Sequence, residues 1–347
     1  MDNDVVLYLI NISLCTPSLK IHYDKIKVRG ALNIYIDAPI SFGKSTIIRE
    51  IEANNLCVVI RELTPASVLG TIKRDGTFLA GVVEKFNNNS VIIDEFQSVR
   101  KDVKEILLGL MEESKYEKAL AYHVTYPYRS DCVTVDKNFI KVKVNSSFIV
   151  TSMLSNKTQL LSAIISRCLP LFVYDRRVDV FEKFLYPSSV IDSGNIKVGE
   201  IERARKELKD VYVNRNERAL VISSFINSNI PQSYMLRAMN DFVRVCVVES
   251  FMRGYNEITR DIVEDLKFVV KIQEMGYQFS HMSRASLMLY SLICKAEKDE
   301  DGLVSVDYLC KKMNKTDRYI RALISELKQN SMITVVTKRK KKYVRPL

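Results

Sequence analysis

A glycine–lysine–serine triplet stands between an apolar run and an amphipathic segment, and this arrangement constrains the fold more than any other feature of the sequence. The run 32–36 has the composition of a buried strand, and residues 46–53 have helical periodicity. Between them, APISFGKS follows the phosphate-loop pattern G-x-x-x-x-G-K-[ST], with alanine replacing the first glycine. The sequence therefore predicts a strand–loop–helix unit that binds a nucleotide.

The residue types in this loop match the chemistry of phosphate binding. Gly43 permits the bend that turns backbone N–H groups towards phosphate, the Lys44 ammonium suits the β- and γ-phosphates, and the Ser45 hydroxyl suits Mg²⁺. The same triplet can arise by chance in an ordinary loop, but the flanking strand and helix argue against that alternative. The predicted nucleotide-binding residues are Ala38, Pro39, Ile40, Ser41, Phe42, Gly43, Lys44, Ser45 and Thr46.

A second apolar run ends in two acids about 50 residues after the loop. The run 91–93 leads directly into Asp94 and Glu95. At the carboxyl end of a parallel strand, the first carboxylate can hold Mg²⁺ through water and the second can orient an attacking water. In isolation this pattern also fits a solvated strand end. Behind a phosphate loop it predicts hydrolysis of ATP, with Mg²⁺ at Ser45 and Asp94 and with Lys44 and Glu95 as catalytic residues.

Short apolar runs alternate with amphipathic segments over residues 30–175. All-apolar runs are typical of strands buried in a parallel sheet, and helices between them indicate right-handed crossovers. One such helix is predicted at 103–111, where apolar residues recur at helical spacing. The predicted fold class is therefore α/β. The predicted strands are 32–36, Cys57–Ile60, 91–93 and 148–150.

Two further units are predicted after the sheet. Residues 178 to about 275 have helical periodicity throughout, including the long stretches 200–211 and 234–251. The order after residue 283 is helix, acidic turn, helix, turn, helix and a two-stranded ribbon with a basic tip, which predicts a winged helix. The predicted domains are an α/β core (1–177), a helical lid (178–280) and a winged helix (281–347). Elements of the last domain are predicted at Arg284–Lys295, Val306–Met313, Asp317–Gln329, 333–336 and 343–344.

The order of several short segments resembles the motor core of the minichromosome maintenance (MCM) helicases, a family of AAA+ ATPases. Residues 27–30 (KVRG) are similar to the Arg-Gly that opens that core, DEF at 94–96 matches the family's D-E-F, and IISR at 164–167 is similar to its L-L-S-R. Arg237 and Arg244 repeat the family's two lid arginines, seven residues apart. The resemblance covers roughly residues 15–275. Further similar segments are 63–75, 110–113 and 258–261.

This resemblance implies roles that the residue pattern alone does not give. Arg167 would be an arginine finger, supplied in trans to ATP on a neighbouring subunit, and Arg237 would be the sensor 2 arginine at the γ-phosphate. Positive charge at both positions would stabilise the charge that spreads over the phosphate oxygens in the transition state. Either residue could instead be a surface arginine paired with a carboxylate. The resemblance also implies the AAA+ fold and a ring of identical subunits, expected to be hexameric.

Besides the alanine at position 38, the sequence departs from the family pattern in two places. The sensor 1 position expects asparagine after the fourth strand, and Thr151, Ser152 and the later Asn156 are the available substitutes. Only about 25 residues precede the core, so the family's N-terminal zinc and oligonucleotide-binding domain is expected to be absent. A minimal motor of this kind is expected to be encoded by a virus, plasmid or integrated element.

Basic residues form two candidate DNA-binding surfaces, and the formal net charge of +11 favours a polyanionic partner. Residues 132–147 alternate like a hairpin, which falls where the family has its pore-facing pre-sensor hairpin, whereas 338–342 form a basic ribbon tip. The alternatives are a solvated hairpin and a winged helix used for protein contacts. The predicted DNA contacts are Lys137, Lys141, Lys143, Arg318, Arg321, Lys338, Arg339, Lys340, Lys341 and Lys342.

The sequence offers no sign of a membrane or secreted protein. It contains no run of about 18 apolar residues, no basic leader, and seven scattered cysteines without a C-x-x-C pair, which favours an intracellular, cytoplasmic location. The predicted function is an ATP-driven helicase or translocase that acts on single- and double-stranded DNA, in replication of a virus or mobile element. The alternatives are an origin-recognition-type initiator or loader ATPase, and a DNA-binding scaffold with a degraded ATPase.

Overall fold

The computed structural model describes residues 3–38, 44–61, 64–120, 123–152, 163–173, 196–280, 282–330, 332–338 and 341–346. The chain divides into two compact units, Met1–Gly276 and Tyr277–Leu347. The predicted boundary at 177/178 lies outside the described residues. Across these ranges, no helix has the length and apolar character that crossing a membrane requires.

Helices and strands alternate through most of the first unit. In the described residues the helices are α1 (Asn3–Cys15), α2 (Lys44–Ala53), α3 (Pro65–Leu69), α4 (Lys101–Glu113), α5 (Val198–Glu207), α6 (Arg215–Ser223), α7 (Gln232–Met252), α8 (Arg260–Asp265), α9 (Lys267–Ser280), α10 (Arg284–Lys295), α11 (Val306–Met313) and α12 (Asp317–Gln329), with 3₁₀ helices at Val82–Phe86 and Phe96–Ser98. The strands are β1 (Lys20–Tyr23), β2 (Ile26–Arg29), β3 (Ile34–Asp37), β4 (Cys57–Ile60), β5 (Gly70–Ile72), β6 (Phe78–Ala80), β7 (Asn89–Ile93), β8 (Lys115–Ala119), β9 (Tyr128–Arg129), β10 (Val133–Asp136), β11 (Phe139–Lys143), β12 (Ser146–Ser152), β13 (Leu169–Phe172), β14 (Asp210–Tyr212), β15 (Val304–Ser305), β16 (Ile333–Lys338) and β17 (Lys341–Pro346).

A five-stranded, all-parallel sheet in the order β13-β3-β12-β7-β4 forms the centre of the first unit. β3 and β12 are buried along their whole length, as expected for strands covered on both faces. α1 contacts β3, β7 and β12, and α4 contacts β12 through an apolar face whose side chains each contribute about 1.5–3 kcal/mol on burial. The predicted α/β class is confirmed, and β3, β4, β7 and β12 correspond to the four predicted strands, although β3 begins at Ile34 rather than at residue 32.

One helix prediction is wrong at its C-terminal end. The segment predicted as a helix over 200–211 is helical only to Glu207, and Asp210–Tyr212 forms strand β14. β14 pairs in parallel with β1, and the N–H of Lys20 donates to the carbonyl of Lys209 at 2.7 Å. Pairing with β1 therefore satisfies the backbone N–H and C=O groups of this segment in place of the hydrogen bonds that a continued helix would form. The region 178–275 is not helical throughout.

The hairpin predicted within 132–147 is confirmed as β10 and β11. Lys137 occupies the turn with a left-handed φ of 52°. β8 pairs with β11 and β9 pairs with β10, so the hairpin lies at the centre of a four-stranded antiparallel sheet, β8-β11-β10-β9. We refer to these four strands as the hairpin sheet. β12 of the parallel sheet begins directly after β11, which fixes the hairpin sheet next to the central strand.

The second unit contains the end of α9, the helices α10, α11 and α12, and the antiparallel sheet β15-β17-β16. The three helices have the predicted bounds because each begins at a hydroxyl side chain that caps the helix: Ser283, Ser305 and Thr316. The predicted strands 333–336 and 343–344 lie within β16 and β17. α12 is held by one apolar face, and its buried residues are Ile320, Leu323, Ile324 and Leu327.

Candidate nucleotide site

Lys44 begins α2 at the carboxyl edge of the parallel sheet. Its Nζ donates to the carbonyl of Ala38, the residue after β3, and to the carbonyl of Ser152 at the end of β12, 3.2 Å away. Ser45 and Thr46 are exposed in the first turn of the same helix. A helix N-terminus attracts anions, and the lysine adds charge at the same place. The other predicted loop residues, Pro39, Ile40, Ser41, Phe42 and Gly43, lie outside the described residues.

Three carboxylates act on Lys44 at this edge. Burial lowers the pKa of Lys44, and the negative charges of Asp37, Asp94 and Glu95 oppose that shift, Asp37 most strongly. Asp37 is the last residue of β3 and only 7% exposed. Sequence reasoning missed Asp37, although an acid at the last strand position before the loop was a usable signal. The carboxyl edge of the sheet therefore brings the ammonium of Lys44 near the carboxylates of Asp37, Asp94 and Glu95.

Thr151 of β12 connects the two predicted catalytic acids. Its Oγ1 donates to Asp94 Oδ1 at 2.7 Å and accepts the backbone N–H of Glu95 at 3.3 Å. Glu95 has a left-handed φ of 52°, a conformation that costs a non-glycine residue about 1–3 kcal/mol. Its side chain is exposed, whereas Asp94 is half-buried. The threonine thus fixes the acids beside each other while leaving the second one open to solvent.

The hydrogen bond from Thr151 to Asp94 distinguishes among the three residues that could replace the sensor 1 asparagine. Thr151 is the residue that contacts Asp94, whereas the Ser152 hydroxyl donates to Gln97 Oε1 at 3.2 Å. Asn156 lies outside the described residues. Among the described candidates, Thr151 is therefore the one placed to respond to a ligand held by Asp94.

The oxygen groups at this edge fit magnesium bound to a nucleotide. Mg²⁺ prefers carboxylate, hydroxyl and phosphate oxygens and usually takes only one or two protein carboxylates. Asp94 supplies a half-buried carboxylate, and Ser45 supplies an exposed hydroxyl at the start of α2. The positive end of α2 and the ammonium of Lys44 favour the phosphates. The residues present thus suit the predicted ATP and Mg²⁺.

Arg167 lies at the opposite end of the parallel strands. It follows a turn of helix and precedes β13, and its carbonyl accepts from Asn33 Nδ2 at 3.2 Å, just before β3. The four residues of β3 span about 13 Å, which separates this amino edge from Lys44 at the carboxyl edge. The guanidinium forms an ion pair with Glu112, with Nε 2.9 Å from the carboxylate. Arg167 is therefore at the far end of the parallel strands from Lys44.

Arg237 belongs to the same amino edge. It lies on α7, and its charge acts on the buried Arg29 and on Asp241. Burial, together with the nearby positive charges of Arg244 and Arg237, lowers the pKa of Arg29 to about 9. Arg244 binds Asp241 and donates to the Arg29 carbonyl at 2.8 Å. We refer to Arg29, Arg167, Arg237 and Arg244 as the arginine edge.

The two ends of the parallel strands thus carry opposite chemistry. Lys44, Asp94 and Glu95 lie at the carboxyl edge, and the four arginines of the arginine edge lie at the amino ends of the strands. A scan against protein-family models and a search of curated proteins found no match to this chain.

The predicted DNA contacts of the hairpin are all solvent-exposed. Lys137 lies in the turn, and Lys141 and Lys143 lie on β11. Lys141 is 3.7 Å from the carboxylate of Glu117 on β8. Both side chains of that pair are more than half exposed, so the pair contributes at most about 1 kcal/mol. All three lysines remain accessible to a polyanion.

The predicted DNA contacts of the second unit include both exposed side chains and side chains that already form ion pairs. Arg318 and Arg321 are exposed on α12, but Arg321 Nε lies 2.5 Å from Asp317. Lys338 forms an ion pair with Asp301, so it is not the unpaired cation that its position in the basic run suggested. Lys342 is exposed on β17. Arg339, Lys340 and the side chain of Lys341 lie outside the described residues.

Replacing Thr151 by valine is expected to lower the turnover number for ATP by about tenfold or more, with nucleotide affinity nearly unchanged. Valine keeps the shape but removes the hydroxyl that holds Asp94 and the Glu95 N–H. Steady-state hydrolysis and equilibrium binding of a fluorescent ATP analogue measure the two effects separately. Thr151→Ser, which keeps the hydroxyl, is the matched control. Equal activity of Thr151→Val and Thr151→Ser would show that the hydroxyl is dispensable.

Proposed function

We propose that this protein is an ATP-hydrolysing motor of the AAA+ type, resembling the MCM family, that acts on DNA as a ring of identical subunits. The separation of Lys44, Asp94 and Glu95 from Arg167 by the length of the strands carries this proposal. A single subunit cannot bring its own arginine to its own phosphate loop. Two subunits placed with the amino edge of one against the carboxyl edge of the next can do so, and repetition of that head-to-tail contact forms a ring when the rotation between neighbours closes.

Each residue then has a role that follows from its charge and place. Lys44 binds the β- and γ-phosphates, Glu95 orients the attacking water, and Thr151 holds Asp94 in position. When bound, Mg²⁺ would neutralise charge on the β- and γ-phosphates, held by Ser45 and Asp94. Arg167, from the next subunit, stabilises the charge that develops on the transferred phosphoryl group. The resemblance gives Arg237 the sensor 2 role, and its place beside Arg29 supports action on the same neighbouring nucleotide.

The DNA part of the proposal depends on two basic surfaces. The exposed lysines of β11 and its turn support contact with a strand that passes along the hairpin sheet. The three helices and β-ribbon of the second unit support a winged helix that contacts DNA through α12 and the ribbon tip. Both single- and double-stranded DNA are therefore proposed partners, inside the cell.

Neutralising the ribbon tip is expected to weaken DNA binding in a salt-dependent and sequence-independent manner. The variant replaces Arg339, Lys340, Lys341 and Lys342 with glutamine. Truncation would be a poor test, because β17 pairs with both β15 and β16 and Val344 is fully buried. Each lost phosphate contact should reduce the slope of log affinity against log salt by about 0.9 for duplex DNA. An unaltered slope would assign the tip to a protein partner instead.

Strand displacement from a forked duplex tests the proposed function. The expected result is ATP-dependent unwinding by the full chain, abolished by Glu95→Gln. Binding to the fork with hydrolysis but without displacement would favour an initiator or loader ATPase of the origin-recognition type. Binding without hydrolysis would favour a scaffold with a degraded ATPase.

A further inference from the structure

The outward face of the hairpin sheet combines an exposed aromatic ring with basic side chains. Side chains alternate along β11, so that Ile140 and Val142 are buried while Phe139, Lys141 and Lys143 are exposed. Phe139 keeps 47% of its surface accessible. A single exposed apolar side chain is ordinary on a protein surface. The basic side chains that surround Phe139 on this face are the feature that needs an explanation.

Strand pairing brings further cations to the same face. Residues directly opposite each other in an antiparallel pair share one face of the sheet. Lys143 is opposite Lys115 of β8, Lys141 is opposite Thr134 of β10, and Thr134 is in turn opposite Arg129 of β9. Lys115 and Arg129 are both exposed. The outward face therefore carries cations on β8, β9 and β11.

The placement of these charges contributes little net stability to the sheet. Like charges directly opposite each other destabilise a sheet, and Lys115 stands opposite Lys143. Glu117 stands directly opposite Lys141, which is a favourable pair, and Asp136 stands opposite Phe139 on the same face. Lys115 also lies 3.2 Å from Glu113. These pairs are solvent-exposed and each contributes at most about 1 kcal/mol, so phosphate can compete for the lysines. The stability of the sheet therefore does not explain the cations on this face, whereas binding of a polyanionic ligand does.

Phe139 has small or charged neighbours across the strands. Ala119 of β8 and Asp136 of β10 stand opposite it, and neither can cover an aromatic ring. Lys137 lies in the turn before Phe139, and Lys141 follows Phe139 on the same face. An open ring between cations suits a polymer with both planar bases and phosphates, because unpaired bases stack on aromatic side chains while cations follow the backbone. In a duplex the base faces are already stacked on one another.

We propose that this face is a binding site for single-stranded DNA, in which Phe139 stacks on an unpaired base and Lys141, Lys143 and Arg129 contact phosphates. The site rests on the proposed function only in taking DNA as the polymer. It adds a residue that distinguishes single strands from duplex, which lysines alone cannot do. A motor with such a site would hold the separated strand on the hairpin sheet.

The test compares binding of the full chain to oligothymidine, to the same strand with abasic sites, and to duplex DNA. Phe139→Leu keeps an apolar side chain but has no aromatic face, and Phe139→Tyr keeps the face. Leucine should weaken oligothymidine binding by about fivefold to a hundredfold, with duplex and abasic binding and the salt slope unchanged. The double variant Lys141→Gln, Lys143→Gln should instead reduce the slope for single strands by about 0.7 per lost contact.

The control is Tyr255→Ala, which removes an exposed ring outside the hairpin sheet and should leave all three affinities unchanged. Binding of oligothymidine by Phe139→Leu with the affinity of the unaltered protein would overturn the stacking site while leaving the proposed motor intact. An equal loss on abasic strands would also overturn it, because no base is there to stack. Failure of the unaltered protein to bind any DNA would overturn the proposed function together with this site.

Discussion

Replacing Arg167 by alanine is expected to lower the rate of ATP hydrolysis by about 10³-fold or more. The guanidinium would lose its contact with the phosphoryl group of the neighbouring subunit's ATP, where charge develops only in the transition state. Nucleotide affinity should change little. Steady-state hydrolysis at saturating ATP measures the loss, and a binding titration on the same preparation confirms that the site still fills.

The ion pair between Arg167 and Glu112 provides the matched control. If the arginine served only that pair, Glu112→Gln would produce the same loss as Arg167→Ala. We expect Glu112→Gln to retain hydrolysis within a few-fold, since the pair is partly exposed and contributes little. A comparable loss in both variants would reduce Arg167 to a structural residue.

Mixing tests the assignment to the neighbouring subunit. Arg167→Ala and Lys44→Ala should each be inactive alone, whereas mixed rings contain interfaces that pair an intact phosphate loop with an intact arginine. Part of the activity should therefore return in the mixture. Mixed rings that form but hydrolyse no ATP would contradict action in trans.

Lys44→Ala and Glu95→Gln should separate nucleotide binding from hydrolysis. The ammonium of Lys44 meets the phosphates in the ground state, so alanine should weaken ATP binding and abolish turnover. Glutamine at position 95 removes the carboxylate that activates water, and it should keep binding while lowering turnover by about 10²-fold or more. Equilibrium binding of an ATP analogue and steady-state hydrolysis measure the two quantities.

A surface lysine provides the control for this pair of variants. Lys25 is exposed in the turn between β1 and β2, and Lys25→Ala should behave as the unaltered protein in both measurements. Equal loss of nucleotide affinity in Lys44→Ala and Glu95→Gln would be inconsistent with the two roles, since only the lysine is expected to contact phosphate before the reaction.

Local signals predicted much of the fold. The strand Cys57–Ile60 and the helices Arg284–Lys295, Val306–Met313 and Asp317–Gln329 were readable because apolar spacing and capping hydroxyls act within a few residues. Strand β14 was not, because its partner β1 lies nearly 190 residues away and the preceding residues carry helical periodicity. A long-range pairing of this kind leaves no local mark on the sequence.

The candidate site divides in the same way. Lys44, Asp94 and Glu95 follow from motifs in which strand, loop and acid are close in sequence. The hydrogen bond from Thr151 to Asp94 and the approach of Asp37 to Lys44 depend on which strands are neighbours in the sheet. The grouping of Arg237 with Arg29 depends on the packing of α7, which a single sequence does not specify.

Coupling of ATP hydrolysis to DNA is tested by the rate of hydrolysis by the full chain as single-stranded DNA is added. We predict Mg²⁺-dependent hydrolysis that rises with the concentration of single strands and is abolished by Glu95→Gln. The same rise should be smaller when Lys141 and Lys143 are glutamine. Hydrolysis that is unaffected by DNA at saturating strand concentration, or no hydrolysis above the level of Glu95→Gln, would contradict the account.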